Sequence, residues 1–464
     1  MRLTPNDERF LGSTDSESIQ NAIDFAAASG ENRVYIPRRN LRTGLPIWII
    51  DKTVLLPSDM TVVLEDAHLR LADGVRENIF RNRNCWTPEG VTQAGEQHDI
   101  RILGQGHAVL DGGEPNGLCE QLHRDDPAHY PHMHVNLLVL LHNTRDFEVS
   151  GIHVIDSRWW SFCFIYCRWG RIRDLDFRMY GNLENQDGIN LRVGCSHILI
   201  ENITGITGDD TVALTALPMD YGDFEMALAV EGRDPDIHDV CIRNILSSSH
   251  GCTLVRFLCE DGARIYNVDA DNIRDTGASI GGSAILVGVT QKTLAISTFC
   301  KKRSRQLGEL FNITIRNVST CAQRAILLAE PIRDLLIENV YTFGGNEIGI
   351  RICDNCVLDN VTLRNLVFRS DPETFDSAFF ISPLPQEASA DLHIEHVRSS
   401  SPKFAFRGME PPVQDCRIDP PQQAWFTPEP AKLASAYGRY HLKAWGKPIE
   451  DRPKDSRFSN GEAK

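Results

Sequence analysis

Ile200-Glu201-Asn202-Ile203 is the stretch that decides the fold, because its pattern returns along most of the chain. The unit is an aliphatic residue, one further residue that is usually polar, then Asn, Gly or Asp, often followed by Ile, Val or Leu. It recurs as Ile102-Leu103-Gly104, Val149-Ser150-Gly151, Ile172-Arg173-Asp174, Ile242-Arg243-Asn244 and Ile265-Tyr266-Asn267. It continues as Ile315-Arg316-Asn317, Ile337-Glu338-Asn339, Leu358-Asp359-Asn360 and Ile394-Glu395-His396. From Gly151 onward the third positions are 23, 28, 42, 23, 50, 22, 21 and 36 residues apart, which reads as a period near 22 with some doubled gaps and inserted loops.

Most units alternate apolar and polar residues, as short half-buried strands do. Such strands cannot bury their inward face alone, but stacked in a parallel ladder they share a core. Asn suits the turns because it tolerates left-handed backbone. The fold class expected is all-β, a right-handed parallel β-helix. At the start of the chain, Ile19, Ala22, Ile23 and Ala26 follow Asp15-Ser16-Glu17-Ser18 at helical spacing and stop at Gly30. A helix over about 16–29 would cap the open end of the solenoid, and Val34-Tyr35-Ile36-Pro37 reads as the first strand. A single domain over 1–400 is expected, followed by a Pro-rich and charged tail over 401–464.

Composition narrows the function. A net charge of −15 argues against nucleic acid as a partner, since phosphate binding needs a basic surface. The aliphatic runs are too interrupted for a membrane span. The 13 cysteines show no disulfide-like spacing, and Met1 to Glu8 has no apolar core. Together these lead to the expectation of a cytoplasmic protein with reduced thiols. No cofactor is called for, and nothing bears on the oligomeric state.

The chemistry concentrates in Asn185-Gln186-Asp187-Gly188-Ile189 and Gly208-Asp209-Asp210-Thr211-Val212-Ala213. Asp187 and Asp209 are 22 residues apart, one period of the repeat, so three carboxylates should meet on neighbouring coils. A lone Asp in a turn usually caps backbone groups. Three that converge raise at least one pKa, and a protonated carboxylic acid beside a carboxylate is the division of labour that glycosidic hydrolysis requires.

These motifs, with Ser249-His250-Gly251 further on, resemble glycoside hydrolase family 28, the polygalacturonases and related pectin hydrolases. The family pattern reads Asn-Thr-Asp, Asp-Asp, Gly-His-Gly and Arg-Ile-Lys, and the likeness spans roughly residues 10–370. The resemblance implies that Asp209 is the general acid, that Asp187 and Asp210 activate water, and that the anomeric centre inverts. It makes His250 a support for the acid, against the reading of a structural histidine, and Asn185 a substrate-positioning residue, against a turn-forming one. Two departures stand out. Ser249 replaces the first glycine, with Pro218 to Asp239 as an inserted acidic loop, and Ser283-Ala284-Ile285-Leu286 stands where Arg-Ile-Lys is expected. Arg256 or Arg264 could substitute from another coil.

Further substrate-binding candidates are Arg158 and Trp159, with a buried aromatic ladder as the rival for the Arg158-Trp159-Trp160 run. Arg192 is the remaining one, taken from a set with Arg168, Arg171, Arg173 and Arg178 most of which read more readily as solvated strand-face charge. His129-x-x-His132-x-His134 reads as a loop over the cleft in preference to a zinc site, and no metal site is assigned. The expectation is an inverting, exo-acting hydrolase of pectin-derived or related plant oligosaccharides. Its rivals are a polysaccharide lyase, a fructotransferase or epimerase on the same fold, and a non-catalytic carbohydrate-binding β-helix.

Overall fold

Alternation in sequence becomes alternation of burial. In Ile332–Thr342, Leu335, Ile337 and Val340 are buried while Asp334 and Asn339 face out. The computed structural model describes residues 2–119, 122, 126, 133–181, 183, 185–218, 228–260, 262–277, 282–289, 306–353, 356–382, 391–400, 404–408 and 416–419. Within them the chain shuttles between a 16-stranded and a 12-stranded sheet, every paired strand parallel to its neighbour. Long strands such as Arg168–Arg178, Ser196–Thr207 and Ile237–Ser249 build the first sheet. Short ones such as Phe162–Ile165, Ile189–Leu191, Val212–Ala216 and Val255–Cys259 build the second. This is a right-handed parallel β-helix, as expected.

The asparagines do two jobs. Asn202, Asn244 and Asn339 each have φ near 58°, a left-handed conformation that bends the long strand partway along. Their amides also bond from coil to coil: Asn202 to Asp174 at 2.9 Å, Asn244 to Asn202 at 3.1 Å and Asn272 to Asn244 at 2.9 Å. A second ladder runs beside the first, with Asn267 donating to Asp239 at 3.0 Å, Asn312 to Asn267 at 2.7 Å and Asn360 to Asp334 at 2.7 Å. The repeat read from sequence had merged the two, since Asn267 and Asn360 belong to the second. Coil spacings along the ladders are 22, 26 and 28 residues, or 42 and 45 where a loop is inserted, so a period near 22 holds for the short coils, such as Val149 to Ile172 and Ile315 to Ile337, and not for the rest.

Burying one Ile or Leu stabilises by about 1.5–3 kcal/mol, against about 1 kcal/mol for a hydrogen bond. The inward stripe, one continuous apolar cluster from Leu3 to Val397, is therefore the main source of stability. The N-terminal end of that cluster is covered by the helix Asp15–Ser29, whose Ile19, Ala22, Ile23 and Ala26 are fully buried. Thr14 is its N-cap, accepting from the Glu17 amide at 3.2 Å, and Gly30 ends it in left-handed backbone with φ 74°. At the other end, Phe404–Gly408 and Cys416–Asp419 extend both sheets past residue 400. Residues 420–464 of the expected tail lie outside the described residues. Among the described residues the cysteines are free thiols, and no helix is long and apolar enough to cross a membrane.

Candidate active site

Each coil turns one corner between its long and its short strand, and the catalytic candidates collect there. Phe162, Ile189, Val212 and Val255 are in register on neighbouring short strands. Two residues earlier on each coil stand Trp160, Asp187, Asp210 and Thr253. Backbone bonds carry the stacking into the corner: Ser161 N to Asp187 O, Gly188 N to Asp210 O and Thr211 N to Thr253 O, each 2.9 Å. Asp187 is thus the direct neighbour of Asp210, while the Asp209 amide reaches the Gln186 carbonyl at 3.3 Å. The coils approach so closely that a Cβ on Gly208 would lie 2.6 Å from the Gln186 Cβ, and one on Gly188 2.5 Å from the Thr211 carbonyl oxygen.

The three carboxylates are buried, with relative exposures of 4% for Asp187, 8% for Asp209 and 3% for Asp210. Their partners differ. Asp210 accepts from the Thr253 hydroxyl at 2.7 Å and the Thr253 amide at 3.2 Å, and its other oxygen pairs with Arg256 Nε at 3.1 Å. Asp187 accepts from Asn190 Nδ2 at 3.1 Å. Burial, reinforced by the charge of Asp210, pushes Asp209 up to about 7. Burial also holds Asp187 well above the usual carboxylate range, with Asp209 and Asp210 adding to it and Asn190 and Arg256 opposing. An acid such as Asp209, poised near neutrality beside an ion-paired carboxylate, can give and take a proton there.

Cys252 belongs to this group, although nothing in the sequence pointed to it. Its sulfur and one oxygen each of Asp209 and Asp210 lie within 4.8 Å of one another, and Arg256 Nη2 donates to the sulfur at 3.0 Å. Burial raises the thiol well above its ordinary range; Arg256 opposes, and the two aspartates push further up. Thr253, Asn190 and Cys252 are recognisable only once the coils are in register.

The remaining candidates divide. Arg256 is at the site, on the coil after Asp210, whereas Arg264 is tied to Asp236 at 2.7 Å and stacks over Tyr266. His250 takes its place on the corner through its amide bond to the Thr207 carbonyl, and its ring nitrogen lies 3.1 Å from the Met179 carbonyl. Asn185 is buried with φ 53°, in the turn that delivers Gln186 and Asp187. Arg192 is 1% exposed, donating to Thr215 Oγ1 at 2.8 Å and lying over the Trp160 ring.

Arg158 and Trp159 are placed otherwise than as sugar contacts. Arg158 is buried and donates to the Val75 and Ala72 carbonyls at 2.7 and 2.8 Å, and burial with Arg70 nearby draws it down to about 10. Trp159 is 1% exposed within a second apolar cluster with Leu118, Leu137 and Leu228, so its faces are filled by protein. Arg168, Arg171, Arg173 and Arg178 lie on the long-strand sheet, where Arg168 pairs with Glu96 and Arg173 with Glu148. His134 meets Trp160 edge-on, whereas His129 and His132 lie outside the described residues, as do residues 219–227 of the acidic insertion. Where Arg-Ile-Lys was expected, Ser283 Oγ accepts from Arg324 Nε at 2.9 Å, so a buried guanidinium enters from the following coil.

Solved structures share this architecture. The chain is similar to a hyperthermoactive exopolygalacturonase from Thermotoga maritima at 16% identity and TM-score 0.50, over 86% of this chain and 91% of that one. It is similar to a tailspike protein of E. coli bacteriophage HK620 in complex with a pentasaccharide at 13% identity and TM-score 0.54, over 92% of this chain and 78% of that one. PfbA, a surface adhesin of Streptococcus pneumoniae, matches at 12% identity and TM-score 0.50, over 90% and 93% of the respective chains. At such identities the likeness shows a polygalacturonase-like β-helix fold. No protein-family model and no curated protein matches the chain.

Proposed function

We propose that this protein is an inverting glycoside hydrolase acting on oligosaccharides. One observation carries the reading: the register brings Asp187, Asp209 and Asp210 to one corner, with Asp209 pushed up to about 7 while Asp210 is held by Thr253 and Arg256. In this scheme Asp209 protonates the leaving glycosidic oxygen. Asp210 draws a proton from the attacking water, which Asp187 orients through a hydrogen bond and which adds to the anomeric carbon from the opposite face. Arg256 keeps a positive charge beside the carboxylates and offsets part of their mutual repulsion. His250 acts as a positioning residue, bracing the turn at Met179 to Gly181. The likeness to the exopolygalacturonase supports short, pectin-derived chains attacked from an end. The substitution of Ser283 for the expected arginine argues that the sugar at the cut bond is held differently from galacturonate in that family.

A lyase would need Ca²⁺ or a basic residue to take the proton at C5, and Arg256 at this corner is paired with Asp210. The test is proton NMR of product anomers from a panel of pectin-derived and neutral oligosaccharides, with and without chelator. An initially inverted hemiacetal unaffected by chelator is the expected outcome. Unsaturated products would replace hydrolysis by elimination, and binding without turnover would make the protein a glycan-binding β-helix.

A further inference from the structure

On the outer face of the long-strand sheet, away from the carboxylate corner, two histidines and an aspartate converge. We infer that His197, His238 and Asp239 form a binding site for a divalent transition-metal ion of the zinc class. Donor atoms of the three side chains lie within 4.8 Å of one another. Asp239 Oδ2 is 2.7 Å from His238 Nδ1 and 3.6 Å from His197 Nε2, so one carboxylate oxygen stands between two imidazole nitrogens. Two imidazoles and a carboxylate form a donor set suited to zinc and its neighbours, and poorly suited to calcium or magnesium.

The groups around these ligands hold them in place. Asn267 Nδ2 donates to Asp239 Oδ1 at 3.0 Å, which turns the other oxygen toward the histidines. The His238 ring lies flat against Tyr266 at 4.9 Å and 5°, and Tyr266 stacks on Phe311 at 4.8 Å. His197 stacks on Trp169 at 4.0 Å. Ligands oriented by neighbouring rings and amides lose little freedom on taking up an ion. The side chains remain accessible, at 36% exposure for His197, 27% for His238 and 37% for Asp239. A surface hollow of about 570 Å³, lined by His197, Asp239, Trp169 and Arg171 among others, gives an ion a way in and leaves a position for water.

The placement suggests the purpose. His197 belongs to Ser196–Thr207 and the other two ligands to Ile237–Ser249, so an ion would fasten two neighbouring coils. After Thr207 the chain turns the corner that holds Asp209 and Asp210 and enters the short strand Val212–Ala216. The ion would therefore tie the start of the coil that carries the carboxylates to the start of the coil that follows it.

The experiment uses the full chain stripped of metal and titrated with zinc chloride, read by calorimetry, thermal unfolding and zinc X-ray absorption. The expectation is an ion with two imidazole nitrogens and an oxygen at about 2.0–2.2 Å, and a Tm that rises with zinc. The His197→Gln/His238→Gln double variant should lose that ion and the rise in Tm, with unchanged circular dichroism. Asn267→Ala, which removes no ligand, should weaken binding by about 10-fold. Asp59, His98 and Asp99, or Asp209, Asp210 and Cys252, also cluster donor atoms. Zinc that stays in the double variant but departs from His98→Gln or Cys252→Ser would overturn the assignment, as would no binding in the wild-type chain.

Discussion

Asp209 shows how much one residue's surroundings can do. Its folded-state pKa of about 7 lies above the ordinary 3.8, so between those values the folded chain keeps a proton that the unfolded chain releases. Stability contributed by this group is full below about pH 4 and is lost as pH rises toward 7. Asp209→Asn should therefore unfold at a higher temperature than wild type at pH 8, with the gap closing toward pH 4; equal melting curves at pH 8 would contradict the buried acid. The same substitution should lower kcat by about 10²–10⁴-fold, as expected for a general acid. Arg256 depresses both Asp187 and Asp209. Removing its charge in Arg256→Gln should move the high-pH limb of the activity profile upward, and Arg256→Lys should restore it partly. A limb that stays put would separate Arg256 from the acid.

At the level of the strand, the left-handed asparagines combine a conformational and a hydrogen-bonding role. Asn244 has φ 59°, donates to Asn202 and accepts from Asn272. Asn244→Ala should lose both bonds and add a left-handed penalty of about 1–2 kcal/mol. Asn244→Gly should lose the bonds alone, and so fall between wild type and Ala in denaturant midpoint. If Gly and Ala are equally destabilised, backbone conformation is not what Asn supplies there. The capping helix was legible because an apolar stripe, a cap and a terminal glycine all lie within one short segment. Its N-cap is Thr14, one residue before the acidic run that marked the start, since Ser, Thr and Asp are equivalent by type and only geometry selects among them.

Across the whole molecule, each coil contacts only its neighbours, so the ends are the vulnerable places. Ile23 is fully buried where the helix covers the first strands. Ile23→Glu should put a charge against that core, lower Tm by several degrees and open the N-terminal edge to self-association, seen as larger particles in light scattering. A monodisperse variant with wild-type Tm would show that the helix is dispensable as a cap.

The β-helix, its cap and the two aspartate patches were readable from the sequence, because alternation, turn-forming Asn and helical spacing are local signals. Register is not local. Coil spacings along the ladders range from 22 to 45 residues, and a difference of one residue decides whether Asp187 stacks on Asp209 or on Asp210, so no fixed period could settle that pairing, or that Asn267 belongs to a different ladder from Asn244. Nor could it separate Arg256, which pairs with Asp210, from Arg264, or Arg158 bound to carbonyls from a guanidinium open to substrate. Which side chains share a corner, and how far water is excluded from it, depend on the closure of every coil in between, and that was decided only by the tertiary structure.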